Sequence, residues 1–210
     1  MSSTERPTEI IQAAYYMIAE RGFEGFRIRS LAEQVGVNHA TLLHYFPSKQ
    51  AVIEAVVGYL LQQLQEEGMA HDAVTPQDAL RRELDDFRRR LLGNREFFIV
   101  LNELQLRAYR DPFIAASLTQ MYTQWRHYLT GLIRQGISAK QFRPDVPVAA
   151  LVEVIIGQFR GIALSALEPV NEAMVNDTID TLWTLLIEWL TPSDLDSKVP
   201  EEKERSESDE

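Results

Sequence analysis

The sequence predicts an all-α protein, an N-terminal three-helix helix-turn-helix domain followed by a C-terminal helical bundle. Three observations predict it. The stretch IRSLAEQVGVNHATLLHYFP, from Ile28 to Pro47, reads as two short helices broken by a turn at Gly36. Downstream, apolar residues recur three and four apart in one segment after another, the period of a helix face. Those segments are punctuated by helix starts at Thr75-Pro76 and Asp111-Pro112 and by stops at Gly22, Gly68 and Gly93. The expected divisions are 5–65 for the first domain, with the helix-turn-helix at 28–47, then 68–191 for the bundle and 192–210 for an acidic, disordered tail.

Composition narrows the field. The 210 residues are 45% hydrophobic, enough for a small module and a larger core. There is no cysteine, which excludes disulfides, thiol redox sensing and Cys-based zinc fingers. The four histidines are scattered, without HxxxH or HExxH spacing, so no metal site and no cofactor are expected. The most apolar run, Val146 to Leu167, carries Glu153, Gln158 and Arg160, which lipid would tolerate poorly. A cytoplasmic location with no membrane partner is expected. The net charge of −10 is spread unevenly: residues 1–60 hold five basic against six acidic side chains, and residues 192–210 hold three against eight. The N-terminal domain is thus nearly neutral, and the acidic remainder should weaken nonspecific attraction to a polyanion.

Taken in order, residues 1–6 are a polar lead. A helix then starts near Pro7 or Thr8 and places Ile10, Ala14, Met17 and Ile18 on one face up to Gly22. In the hairpin, counting Ile28 as the first place, Leu31, Val35, Val37, Leu42 and Tyr45 fall at places 4, 8, 10, 15 and 18, the buried places of a helix-turn-helix. Ala32 is small where the second helix comes close, and Gly36 can take a left-handed conformation. Ser48 can cap a long helix from Lys49 to about Glu67, apolar at Val52, Ile53, Val56, Leu60, Leu61 and Leu64, which acts as a lever on the hairpin. After a linker ending near Val74, Thr75 opens a helix with Leu80, Leu84, Phe87 and Leu91 inward. Its Arg88-Arg89-Arg90 run reads as a solvated face opposite Asp85 and Asp86 rather than a second nucleic-acid patch.

The middle region is rich in aromatics. A helix from Glu96 to Tyr109 carries Phe97, Phe98, Leu101, Leu104 and Leu106, and the next, from Asp111 to about Ile137, carries Met121, Tyr122, Trp125 and Tyr128. With polar neighbours such as Asn102, Glu103, Gln105 and Arg126, such aromatics line a cavity or simply fill a core; periodicity alone leaves both open. Of the last two helices, 146–167 bears a small-residue stripe at Gly157 and Gly161, and 171–190 is apolar around more than one face. A helix apolar on two faces must bury both, one of them most simply against a second subunit.

The exposed residues of the hairpin indicate a partner. Asn38, His39, Thr41, His44, Tyr45, Ser48 and Lys49 are hydrogen-bonding groups without negative charge. That surface suits a groove walled by phosphates, which makes double-stranded DNA the expected partner.

The run GFEGFRIRSLAEQVGVNHATLLHYFPSKQAVIEAV resembles the DNA-binding domain of the tetracycline-repressor (TetR) family, without gaps from about Thr8 to Tyr59. The matching positions are Gly22-Phe23, Ile28-Arg29, Leu31-Ala32, Gly36-Val37, Thr41-Leu42, Phe46 and Lys49. The resemblance implies that Arg29, Thr41 and Lys49 touch phosphates or bases and that Asn38, His39, Ala40, His44 and Tyr45 line the major groove. It also implies an effector pocket, assigned to Phe97, Phe98, Leu101, Glu103, Tyr122, Trp125 and Phe159, for an unidentified small molecule of partly apolar or aromatic character. The family's last two helices form a dimer interface, here assigned to Val154, Gly157, Gly161, Leu164, Ile179, Trp183 and Leu186. Phe26 and Arg27 depart from the family pattern where Thr or Ser caps the second helix, so that cap is expected to be weak or to come from elsewhere. Leu43 and His39 depart from common Tyr and Lys.

The expected function is a sequence-specific DNA-binding transcriptional regulator, a ligand-released homodimeric repressor at a palindromic operator. An activator or a protein-controlled regulator of the same fold stays open. An enzyme or helical ligand carrier is the rival from another class; against an enzyme, no nucleophile–base pair, metal spacing or phosphate loop is present.

Overall fold

The computed structural model describes residues 5–68, 75–169 and 171–192 of the chain. The start of the polar lead, the 69–74 linker and the tail from 193 lie outside the described residues. Within them, nine α-helices follow one another without a strand. They are α1 (Glu5–Gly25), α2 (Ile28–Gln34), α3 (His39–Tyr45), α4 (Lys49–Gly68), α5 (Pro76–Gly93), α6 (Arg95–Ala108), α7 (Pro112–Ser138), α8 (Val148–Ala163) and α9 (Glu172–Leu190). A 3-10 turn, Leu164–Leu167, extends α8.

Helix starts are set by side chains that satisfy the first free N–H groups. Asn38 accepts from Thr41 N at 2.8 Å, Ser48 from Ala51 N at 3.0 Å, Thr75 from Asp78 N at 3.1 Å and Asn171 from Met174 N at 3.1 Å. Asp111 accepts from both Phe113 N and Ile114 N. Helix α2 lacks such a cap, as Arg27 in the capping position led one to expect. Its other end is well closed. Gly36, at φ +67°, turns the chain so that Gly36 N reaches Glu33 O and Val37 N reaches Ala32 O, a Schellman pair. Arg6 of α1 donates to Val35 O at 2.9 Å, a tertiary tie at the same end.

Helix α1 runs past its expected stop. Gly22 breaks it with φ 63° and ψ 177°, and a last turn continues to Gly25 before Phe26 drops into the core. Only glycine takes that conformation at low cost.

Ile10, Ala14, Met17 and Ile18 of α1 meet Val52, Ile53, Val56 and Leu60 of α4, while Phe26, Leu31 and Leu42 seal the hairpin against them; all are at most 1% exposed. Burying each large side chain stabilises by about 1.5–3 kcal/mol before chain entropy is counted. The same core continues into the bundle, where α1 packs on α6 and α4 on α7. Tyr15 is buried in this seam and Tyr16 is exposed.

The bundle corrects the expected face of α9. Ile179 and Leu186 are buried within their own chain, together with Val175 and Leu190, and Trp183 lies beneath the Arg81 guanidinium at 5.5 Å. The outward face is instead Met174, Leu185 and Trp189. Leu106 of α6 is also exposed. On α8, the exposed Val154, Gly157, Gly161 and Leu164 stand where the small-residue stripe placed them. The stretch Val148–Leu167 is long and apolar enough to cross a membrane by composition. Here Val152, Ile155, Ile156 and Phe159 are buried in the bundle, and Glu153 is ion-paired with Arg126 of α7.

The arginine run of α5 is engaged within the fold. Arg88 pairs with Asp85 and, with Arg81, holds Asp180 of α9, while Arg89 pairs with Asp86. Surface pairs of this kind contribute about 0–1 kcal/mol each, so the gain is in fixing α9 on α5 rather than in stability.

Candidate DNA interface and ligand cavity

Helix α3 is short and half-dressed. Of its seven residues only Leu42 is buried. Asn38, His39, Ala40 and His44 are exposed, and Thr41 and Tyr45 are partly covered, with the Tyr45 and His44 rings edge to face at 5.8 Å. Arg29 on α2 is exposed as well, so seven of the eight expected DNA-facing residues keep polar groups or small surface available there. The cap bond of Asn38 uses its carbonyl oxygen on Thr41 N and leaves the amide N–H groups free of that bond.

Lys49 is the exception and a correction. Its ammonium donates to Phe26 O at 2.8 Å and Phe23 O at 3.3 Å and sits over the Phe26 ring. Those carbonyls belong to the end of α1, where a cation is favoured. Burial lowers the Lys49 pKa, and Arg27 and Arg107 lower it further. Lys49 therefore fastens the hairpin to the end of α1 with two of the three N–H donors of its ammonium.

Inside the bundle, helices α5 to α8 enclose a cavity of about 440 Å³. Phe97, Phe98, Leu101, Tyr122, Trp125 and Phe159 all line it, as the sequence led one to expect. Its rings form a continuous chain with centroid separations of 5.2 Å for Phe97–Phe98, 5.1 Å for Phe98–Phe87, 4.4 Å for Phe87–Phe159 and 5.2 Å for Phe159–Trp125. These are the edge-on arrangements aromatic quadrupoles favour. The polar groups are few. Trp125 donates its indole N–H to Glu83 at 2.6 Å, and the Tyr122 hydroxyl donates to Gln105 at 3.3 Å. Gln105 donates to the buried Asn102, which in turn donates to Ala163 O of α8.

Glu103 does not line the cavity, and its assignment there is corrected. A helix turns about 100° per residue, so Glu103 and Arg107 point away from Leu101 and Gln105. Glu103 instead accepts from Phe23 N at 3.2 Å, beside the Gly22 break, and Arg107 stacks on the Phe23 ring at 5.0 Å. Nearby, Gln50 of α4 donates to Asp111 at 2.9 Å. One side of α6 thus borders the cavity and the other grips the DNA-reading domain. The sequence reading missed this joint, as it missed Arg6, Glu83 and Phe87; Phe87 shares its face with Leu84 and Leu91 and read as plain core.

Beside these sites, Val154, Gln158 and Ile162 of α8 and Met174, Leu185 and Trp189 of α9 border an open apolar groove on the outer surface.

Residues 10–56 match the family described as bacterial regulatory proteins, tetR family, and residues 107–175 match the tetracyclin repressor-like C-terminal domain. The chain belongs to the TetR family. It is 28% identical to the HTH-type transcriptional regulator CymR of Pseudomonas putida over 170 residues, 78% of this chain and 80% of that one. It is 21% identical to the HTH-type transcriptional regulator UidR of Escherichia coli K12 over 160 residues, 74% of this chain and 78% of that one. Two solved structures share the fold. A transcriptional regulator of Saccharomonospora viridis in complex with choline has a TM-score of 0.79 at 20% identity, covering 91% of this chain and 100% of that chain. A TetR-family regulator of Agrobacterium tumefaciens has a TM-score of 0.76 at 18% identity, over 91% and 100% of the two chains. This TetR-family protein is a helix-turn-helix, DNA-binding transcriptional regulator.

Proposed function

We propose that this TetR-family protein acts in the cytoplasm as a homodimeric repressor that binds a palindromic operator and lets go when a small molecule enters the bundle. The observation that carries the reading is the pairing of two uncovered surfaces on one chain: polar α3 and the apolar α8–α9 face. The first domain, about residues 5–65, presents Arg29, Asn38, His39, Ala40, Thr41, His44 and Tyr45 to the major groove. The second, about 68–191, joins its copy through Val154, Gly157, Gly161 and Leu164 of α8 and Met174, Leu185 and Trp189 of α9. A Cβ at Gly157 or Gly161 meets nothing within 4 Å in the single chain, so both are free to admit a close neighbour. Two-fold symmetry sets the paired reading helices about 34–36 Å apart, one DNA turn, and a palindrome follows.

Release then follows from linkage. A ligand that favours a setting of α6 in which Glu103 and Arg107 hold Phe23 differently weakens DNA binding by the same factor that DNA weakens ligand binding. An electrophoretic shift on DNA flanking the protein's own gene, reversed by a compound, tests this. A shift that small molecules never reverse but a cell-extract protein does would favour a protein-controlled regulator, and transcription that rises on binding would favour an activator.

A further inference from the structure

The two ends of the cavity differ in charge. At the end shared by α6, α7 and α8, the Arg160 guanidinium lies 5.1 Å from the Tyr122 ring centroid, and the Tyr122 hydroxyl is bonded to Gln105. Arg126 adds a second guanidinium nearby, already committed to Glu153. Burial raises the Tyr122 pKa, whereas Arg160 and Arg126 pull it down, the mark of a positive surrounding. At the α5 end stand Glu83 and Asp86. There the Tyr128 pKa is raised by burial and then by Glu83 and Asp86, with Arg82 opposing; Arg82 and Arg90 line that end as well, so its acids and bases balance.

The hydrogen-bond accounting separates the ends further. Glu83 accepts from Trp125 and Asp86 from Arg89, and both have further partners within the fold, so the acids of that end are engaged, although a carboxylate has lone pairs for more than one donor. Arg160 lines the cavity and is exposed, which puts it at the mouth, and it makes no hydrogen bond or ion pair among the described residues. A planar guanidinium held over a ring is pre-aimed for a planar two-oxygen anion. An incoming cation would find ring faces at Phe97 and Tyr122 already taken by Arg90 and Arg160.

We propose that the cavity takes a small carboxylate with a flat, unsaturated body and a hydroxyl at its far end. The carboxylate lies on Arg160, the body against the wall that Phe87, Phe159 and Trp125 form, and the hydroxyl donates to Glu83. This rests on the cavity being the regulator's ligand site, and it assigns Arg160 as the residue that selects for negative charge.

The test is calorimetric titration of the full chain with 3-(4-hydroxyphenyl)propanoate, its primary amide, 3-phenylpropanoate and choline. The hydroxy acid is expected to bind at least about tenfold tighter than the amide, since a charge-assisted fork is lost. It should also bind several-fold tighter than the acid lacking the hydroxyl, and choline should not bind. Arg160→Gln should bring acid and amide within about twofold of each other, and Arg160→Lys, which keeps the charge, should retain most of the preference. Equal binding of acid and amide, tighter binding of choline, no binding by any of the four, or an Arg160→Gln protein that still prefers the acid would each overturn the assignment. An electrophoretic shift run in parallel separates the two readings. Acid that binds without releasing operator removes ligand release and leaves the ligand class; release by a compound with which the acid does not compete removes the ligand class and leaves release.

Discussion

Helices α3 and α9 both leave side chains uncovered, and the two surfaces are opposite in chemistry. Helix α3 buries Leu42 and turns Asn38, His39 and His44 outward, groups that water satisfies until a partner with matching hydrogen bonds arrives. Helix α9 buries Val175, Ile179, Leu186 and Leu190 and still leaves Met174 64% and Leu185 61% exposed, apolar surface that stays unfavourable until covered. The difference teaches that one chain can carry two uncovered surfaces of opposite chemistry, and it is the basis for the proposed division in which the apolar one serves assembly and the polar one recognition.

The hardest blow to that division is Leu185→Asp. A carboxylate buried in an apolar interface is expected to give monomers by light scattering and at least about 100-fold weaker operator binding, because each half-site must then bind alone. Intact dimers with full affinity would erase the role given to α9. Next in size is Gly22→Ala in the joint, where φ +63° is strained for any β-carbon and the new atom would lie 3.2 Å from Glu103 Oε1. A loss of about 1–3 kcal/mol in urea unfolding is expected, with the dimer unchanged. Asn38→Ala removes the α3 cap and should cost about 1 kcal/mol, read as faster amide exchange in α3 while α9 is untouched.

The smallest effect is also the sharpest, because it separates two cations that look alike in the sequence. Arg29→Gln should lower the slope of log affinity against log salt by about one, while Lys49→Met, whose ammonium serves Phe23 and Phe26 carbonyls, should leave that slope unchanged. A reduced slope for Lys49→Met would return it to the phosphate backbone.

How far the sequence could be read follows from the range of the contacts involved. The hairpin was legible almost residue by residue: Leu31, Val35 and Leu42 are buried, and Gly36 is left-handed where the spacing required it. Helix starts at Ser48, Thr75 and Asp111 were legible for the same reason, since a cap acts on a neighbour three residues away. The face of α9 was not, because a helix apolar on more than one side offers periodicity no means of choosing, and Ile179 and Leu186, assigned to the interface, pack within their own chain. Glu103 was misplaced since its partner, Phe23, is 80 residues distant. Lys49 matched a family position, and the carbonyls it meets, those of Phe23 and Phe26, lie 26 and 23 residues back in the chain. The six assigned residues that line the cavity are aromatic or aliphatic, types for which core and cavity wall look the same until the helices are assembled.

Helix α6 is a party wall, with the cavity as tenant on one side and Phe23 on the other. If ligand release runs through α6 as proposed, a compound lodged against Phe98 and Leu101 is coupled to the contacts of Glu103 and Arg107 with Phe23, and the coupling is mutual. A compound assayed on the isolated protein should therefore look more potent than the same compound assayed in a tube already saturated with operator.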